Sequence, residues 1–407
     1  MRILIVTQNF PPDIGGAAIR LSGYAEHLTK LGHQVCVLCA NPIYPRGRIF
    51  EGYKNKWFQK EQKNGYEIIR TWILPVKPSS HFFLRLLSYN SFVVSACFAL
   101  LKIKKPNLTI SATPSFFASF VSIFNKNLRG GKLILDITDV WPDSAIATGF
   151  MKKGFLFFFA KKIEQWIYRQ ADHITCGSLG TKKELLKNKN LLNKIEVIPD
   201  AIDANIFSSI TEEEGITNKF NLNNKFVVGF TGLMGFAQNV KMLALVAEKL
   251  INYKDIVFLL VGDGGMKEGA EAFCKKNNLV NVVFVGEKPY SEMPKYIKCF
   301  DIGLVTLKNE PLFENSVPSK LFHYWAGGKP VIINLKGVAS DIIQNANGGI
   351  LCREDDAEDM ANKILFLYTH RIEANLLGKN GQAYVYENYS RDKIVQKLND
   401  LINKLNN

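Results

Sequence analysis

The sequence predicts an α/β protein built from two Rossmann-like, doubly wound domains, and three observations carry that expectation. At 407 residues the chain is too long for one ordinary core and suits two domains of roughly 200 residues each. Short apolar runs alternate with amphipathic stretches almost throughout, as parallel strands alternate with crossover helices. The alternation then restarts near residue 225, after a polar stretch from about Asp200 to Asn224 that reads as a linker, its Glu212-Glu213-Glu214 run as a solvated face. Domains are expected at 1–200 and 201–388, with a final helix over about 389–407.

In the first half, Ile3–Thr7 reads as a strand, followed by a proline- and glycine-rich loop and a helix from about Ala17 to Leu31. Gly32 stops that helix and Gln34–Cys39 is the next strand. Further strands are expected at Ile68–Thr71, Leu108–Ile110, Lys132–Asp136 and His173–Cys176. In the second half, strands are expected at Phe226–Thr231, Ile256–Val261, Val282–Val285, Ile302–Leu307 and Val331–Asn334, with a helix from about Gln238 to Leu250. No repeat of 20–50 residues suggests a solenoid.

Composition narrows the function. Apolar residues make up 47% and charged residues 22%, as in a globular protein. The seven cysteines are scattered; Cys36 and Cys39 have zinc-knuckle spacing but no second pair, and read as strand thiols in a reducing compartment. Met1–Val6 reads as a strand rather than a leader, because Pro11-Pro12 follows before any cleavage-like segment. No apolar run approaches the ~20 residues of a spanning helix; Phe92–Leu101 and Phe155–Ala160 come nearest, and Arg85 and Asn90 interrupt the approach to the first. The formal charge of +14 lacks the basic stripe and stacking aromatics of a nucleic-acid binder. Lysines beside apolar segments at 81–105 and 152–162 fit an anionic lipid surface instead.

Doubly wound sheets bind ligands beyond their strand C-termini. A dinucleotide is disfavoured. Neither Gly15-Gly16-Ala17-Ala18 nor Gly262-Asp263-Gly264-Gly265 follows G-x-G-x-x-G, and Asn41-Pro42 stands where an acidic ribose ligand belongs. These loops still offer helix-start amides to phosphates or sugar hydroxyls. The most informative stretch is Asn315 to Pro330. Pro318-Ser319 leads a helix whose first turn carries Lys320, a cation opposing the helix dipole and therefore suited to a bound anion. His323 shares that face at i+3, where it can reach a neighbouring ribose or serve as a buried, hydrogen-bonded histidine.

The segment Val317-Pro318-Ser319-Lys320-Leu321-Phe322-His323-Tyr324-Trp325-Ala326-Gly327-Gly328-Lys329-Pro330 closely resembles the nucleotide-binding segment of family 4 glycosyltransferases, retaining enzymes of the GT-B fold. The resemblance extends over nearly the whole chain. Phe10 to Ala18 looks like the family's first glycine loop, Asp136 to Asp143 like its DLWPE-type element, Val197 to Asp203 like its interdomain turn, and Gly229 to Gly235 like the first loop of the nucleotide domain. The branch it is most similar to is that of L-N-acetylfucosamine transferases of polysaccharide assembly.

What the resemblance implies is specific. The two domains face each other across a cleft, and the C-terminal helix crosses back to the first. A nucleotide sugar, UDP-linked, is held by Gly16, Gly232, Gly235, Gln238, Asn315, Val317, Pro318, Ser319, Lys320 and His323. A polyprenyl-diphosphate-linked saccharide meets Gly15, Gly16, Asp139 and Trp141. Asp139 and Lys320 are the catalytic candidates, with Asp136 and Asp143 as alternatives to the first and a loop-capping role as its bland reading. Glu164, on a lysine-rich helix, reads as a local ion-pair partner. The enzyme would work at the inner face of the cell membrane, from the cytoplasm, on O-antigen or capsule.

The sequence also departs from the family. Asn315 and His323 stand where two glutamates are usual, Leu233 and Gln238 where the first nucleotide loop carries Arg and Lys, and Thr138 where a histidine is common. No Asp-x-Asp triplet appears, so no metal or other cofactor is indicated. A nucleotide-sugar epimerase of similar architecture, or a non-catalytic donor-binding subunit, are the competing readings.

Overall fold

A computed structural model describes residues 1–407 apart from 78–79, 114–115, 148, 150, 209–213 and 407. The chain divides into two compact units, Met1–Asp200 with Asp392–Asn407, and Ala201–Arg391. Each is a sheet wound with helices.

In the first unit the strands are β1 (Arg2–Val6), β2 (Gln34–Ala40), β3 (Gln59–Lys63), β4 (Tyr66–Thr71), β5 (Leu108–Thr113), β6 (Lys132–Ile137), β7 (His173–Cys176) and β8 (Ile195–Val197). Their order is β3-β4-β2-β1-β5-β6-β7-β8, and all pair in parallel except β3, which is antiparallel to β4. Fully buried runs such as Ile3–Val6 and Leu133–Ile137 are what a sheet covered on both faces requires. Cys36 and Cys39, three apart on β2, fall on opposite faces of the sheet, so they share no site.

The second unit orders β9 (Phe226–Thr231), β10 (Ile256–Val261), β11 (Val282–Gly286), β12 (Ile302–Val305), β13 (Val331–Ile333) and β14 (Gly349–Leu351) as β11-β10-β9-β12-β13-β14, all parallel. Its core joins Phe226, Phe230 and Phe258 of the sheet to Leu243 and Val246 of the helix Val240–Lys249.

Three expectations need correction. The segment Asp200–Asn224 is not a bare linker. Ile202 is fully buried, its N–H donates to the Tyr389 carbonyl at 2.9 Å, and Ala204–Ser208 and Glu214–Lys219 are helical. The glutamates at 212 and 213 lie outside the described residues. Second, the helix expected from Gln238 begins at Val240, after a 3₁₀ turn over Phe236–Gln238. Third, Phe82–Leu100 is one 19-residue helix that takes in Arg85 and Asn90, and it is long and apolar enough to cross a membrane by length and composition. One face of it belongs to the core: Phe92 and Ala96 are buried, and the Ser88 and Ser95 hydroxyls donate to the carbonyls of Leu74 and Trp72. The other face leaves Phe83 75% and Phe98 63% exposed.

Candidate active site

The second sheet reverses its winding between β9 and β12, so the loops leaving these two strands flank a topological switch point, the place where such sheets bind ligands. The loop after β9 runs through Gly232 and Gly235. It is braced by the loop after β10 in a way only glycine permits: a Cβ on Gly262 (φ 151°) would overlap the Gly232 carbonyl, and one on Gly264 (φ 155°) would press on the Met234 backbone. The bracing corrects one expectation. The Gly232 N–H already donates to the Val261 carbonyl at 2.9 Å, so Gly232 shapes the loop and has no amide to offer a ligand. The Gly235 N–H has no acceptor among the described residues. Gln238 folds its side-chain oxygen over Gly235.

The helix Ser319–Ala326 starts at Pro318 without a side-chain cap, leaving the Ser319 amide free among the described residues. Its far side is fixed. Leu321, Phe322, Tyr324 and Trp325 are buried, the Tyr324 hydroxyl accepts from the Thr231 N–H at 2.8 Å, and the Trp325 indole donates to the Gly348 carbonyl at 2.8 Å. The helix start is therefore rigidly joined to the end of β9. Lys320 projects from it with its Nζ buried, without a hydrogen-bond acceptor among the described residues, 3.6 Å from the centre of the Phe230 ring. Burial pulls its pKa down to about 7.

His323 lies one turn along the same face. Its Nε2 is 3.2 Å from the Tyr290 hydroxyl, and its ring stacks on Phe207 at 6.3 Å. Desolvation, with the charges of Arg391 and Lys320 adding to it, pushes its pKa down to about 3. The imidazole is therefore neutral across the physiological range and works as a hydrogen-bonding group. Asn315 closes a 3₁₀ turn over Phe313–Asn315, and Val317 and Pro318 continue from it to the helix. Tyr290 and Phe207 were not signalled by the sequence; both come from short helical turns distant along the chain.

The first sheet reverses its winding between β1 and β5, and the Phe10–Gly16 loop leaves β1 at that point. Asp13 pins it, accepting from the N–H groups of Ile43 at 2.8 Å and Tyr44 at 2.7 Å; burial raises its pKa to about 7. Gly15 caps the helix Gly16–Lys30, whose first turn carries no acid. A Cβ added at Gly16 would meet no atom within 4 Å.

The structure separates the three aspartates of the 136–143 segment. Asp136 is buried and engaged by the Arg20 guanidinium at 2.8 and 2.9 Å and by the Thr175 hydroxyl at 2.7 Å. Asp143 is paired with Lys161 at 2.6 Å. Asp139 alone has no hydrogen bond or ion pair among the described residues, and it stands open to water. Crowding by protein on its other sides, and then the like charge of Asp200, raise its pKa above the ordinary carboxylate value. Trp141 packs edge to face on Phe116 at 4.1 Å and so anchors this loop in the core, which leaves less of it for an acceptor than the sequence suggested. Glu164 pairs with Lys161 at 2.7 Å, the local role expected of it. Among the described residues no group of three His, Cys, Asp or Glu side chains is placed to hold a metal ion.

Two parallel-sheet α/β units, each with a loop at its switch point, are the arrangement of the GT-B fold. The chain belongs to the glycosyltransferases: residues 14–206 match the model described as Glycosyltransferase Family 4, and residues 225–370 match that described as Glycosyl transferases group 1. WcaI of Escherichia coli K12, a glycosyl transferase named for colanic acid biosynthesis, is 26% identical over 82% of this chain and 83% of its own. Among solved structures, sucrose-phosphate synthase of Thermosynechococcus elongatus matches with a TM-score of 0.79 at 17% identity, over 100% of this chain and 99% of that one. Anabaena HepE in complex with UDP-glucose matches with a TM-score of 0.73 at 14% identity, over 99% and 100%. These two likenesses concern the fold. The two family matches place the chain among the glycosyltransferases.

Proposed function

We propose that the chain is a retaining hexosyltransferase that moves an N-acetylated deoxysugar or hexosamine from a UDP-linked donor to a polyprenyl-diphosphate-linked saccharide, in O-antigen or capsule assembly. The observation that carries this reading is Lys320: a buried, unpartnered cation beside the uncapped start of a rigidly anchored helix, at a topological switch point. Such a group costs stability unless an anion meets it. A donor diphosphate is that anion, and the UDP-glucose bound by HepE on the same fold supports the choice of nucleotide.

In this account the bond between the anomeric carbon and the diphosphate oxygen breaks as the acceptor oxygen bonds to that carbon from the same face. Charge gathering on the diphosphate is met by Lys320 and by the Gly235 and Ser319 amides. His323 and Asn315 bind donor hydroxyls as neutral groups. Asp139, the one uncommitted carboxylate of its segment, orients the acceptor hydroxyl and takes its proton; its raised pKa suits a base. No enzymic nucleophile and no metal enter the scheme.

The acceptor is lipid-linked, and the first unit carries a surface suited to lipid. The helices Phe82–Leu100, Phe116–Arg129 and Phe155–Gln170 pack side by side. They leave Phe83, Phe98, Phe155 (84% exposed) and Phe158 in solvent, and the flanking segments carry exposed Lys102, Lys104, Lys105, Lys152, Lys153 and Lys162. Exposed apolar side chains with exposed lysines near them in sequence suit the inner, anionic face of a cell membrane. The test offers UDP, GDP and dTDP sugars with a polyprenyl-diphosphate saccharide and follows the acceptor by mass spectrometry. A gain of one sugar supports the reading, and donor turnover without acceptor points to an epimerase.

A further inference from the structure

The donor site just proposed is short of positive charge. Leu233 and Gln238 on the glycine loop are neutral, which leaves Lys320 as the cation of this loop-and-helix frame among the described residues. We infer that Lys308, from the loop after β12, supplies the missing second cation and makes the site selective for a diphosphate over a monophosphate. The inference rests on the donor site assigned above.

Three observations support it. First, Lys308 stands just beyond β12, the strand that pairs with β9 at the switch point. Second, its loop is fastened to the glycine loop by two bonds: its own N–H donates to the Ala237 carbonyl at 2.9 Å, and the Thr306 hydroxyl donates to the Gln238 carbonyl at 2.7 Å. Third, its Nζ lies 3.1 Å from the centre of the Phe236 ring, and Phe236 directly follows Gly235, whose amide is unsatisfied.

The manner of holding matters. A lysine with a purely solvated role extends into water or pairs with an acid. Lys308 is half-buried and has no carboxylate in ion-pair range among the described residues. An aromatic face attracts an ammonium without neutralising it, so the cation keeps its full charge for an arriving phosphate oxygen. Phe236, itself 41% exposed, is then a resting platform beside the phosphate-binding amides. Lysine suits the task because its charge is compact and its stem flexible.

The test titrates the full chain and its Lys308→Gln, Lys308→Arg and Lys320→Ala variants with UDP, UMP and inorganic pyrophosphate by calorimetry. Lys308→Gln is expected to weaken UDP and pyrophosphate by about tenfold or more, as loss of a charge-assisted contact does, and UMP by less than about threefold. Lys308→Arg is expected to recover most of the UDP affinity. If Lys320→Ala weakens UDP while Lys308→Gln leaves it unchanged, the inference fails and the donor site stands. If UDP and UMP weaken equally in Lys308→Gln, with no recovery in Lys308→Arg and a lower melting temperature, Lys308 is a loop brace and the inference fails as well. A wild-type chain that binds none of the three probes overturns the donor site and the inference together.

Discussion

Lys320 is held in a state that folding alone does not favour. Its buried amine, pulled from 10.5 to about 7, is uncharged in the ligand-free fold over the range where the unfolded chain is still protonated. The unfolded state then binds more protons, so stability of the free protein rises with pH between about 7 and 10.5. Donor binding needs the ammonium and runs the other way, weakening by up to about tenfold per pH unit above 7. Calorimetry of UDP from pH 6 to 9 checks this, and His323, neutral throughout that range, adds nothing to the slope. Replacing Lys320 by Met is expected to raise stability at pH 6 by about 1–4 kcal/mol, as removal of a buried charge does, and to cut turnover by about ten- to a thousandfold. Loss of both stability and turnover would mean that the lysine is a structural group. Asp139 governs the opposite limb. With its carboxyl raised, kcat/KM is expected to fall with acidity at a pH above the ordinary aspartate range, and Asp139→Asn to remove that limb together with most of the rate.

At the scale of elements, the glycine loops illustrate what sequence reading reaches and where it stops. Gly262 and Gly264 were legible as a loop after a strand, but their task, backbone against backbone under Gly232 and Met234, depends on contacts no local pattern encodes. Gly264→Ala is expected to cost about 2–4 kcal/mol and to weaken UDP binding in proportion, read by thermal melting and calorimetry side by side. The longer strands were legible because buried parallel strands are continuous apolar runs. Strand β3, Gln-Lys-Glu-Gln-Lys, has no apolar residue and escaped, as polar edge strands do; the Asn64-Gly65 turn between β3 and β4, both residues at positive φ, was the available signal. The three-residue strands β8 and β14 are too short to show a period. In the site, Lys320 and His323 were legible from the helix start, whereas the distinction among Asp136, Asp139 and Asp143 was not. It rests on Arg20 and Lys161, remote in sequence, having engaged two of the three. The helix Phe82–Leu100 likewise looked interrupted by Arg85 and Asn90, which the continuous helix accommodates on its less buried positions. Charging its open face with Phe83→Glu and Phe98→Glu is expected to abolish flotation with anionic vesicles at an unchanged melting temperature.

At the scale of the molecule, two sheets of the same construction each place a glycine-rich loop at the strand pair where their winding reverses. In the second unit the uncapped start of the helix Ser319–Ala326 is tied to the end of β9, and in the first Asp139, just beyond β6, has no hydrogen bond or ion pair among the described residues. That division of labour, donor in one unit and acceptor activation in the other, is the central claim. It requires no divalent ion, so turnover is expected to survive EDTA. The most direct measurement incubates the full chain with UDP-N-acetylhexosamines and a polyprenyl-diphosphate saccharide, and follows released UDP and acceptor mass together. The account predicts one UDP released per sugar gained, an α-configured product from an α-configured donor, and loss of both signals in Lys320→Ala and Asp139→Asn. Donor consumed without an acceptor gain, or both variants as active as the wild type, would contradict it.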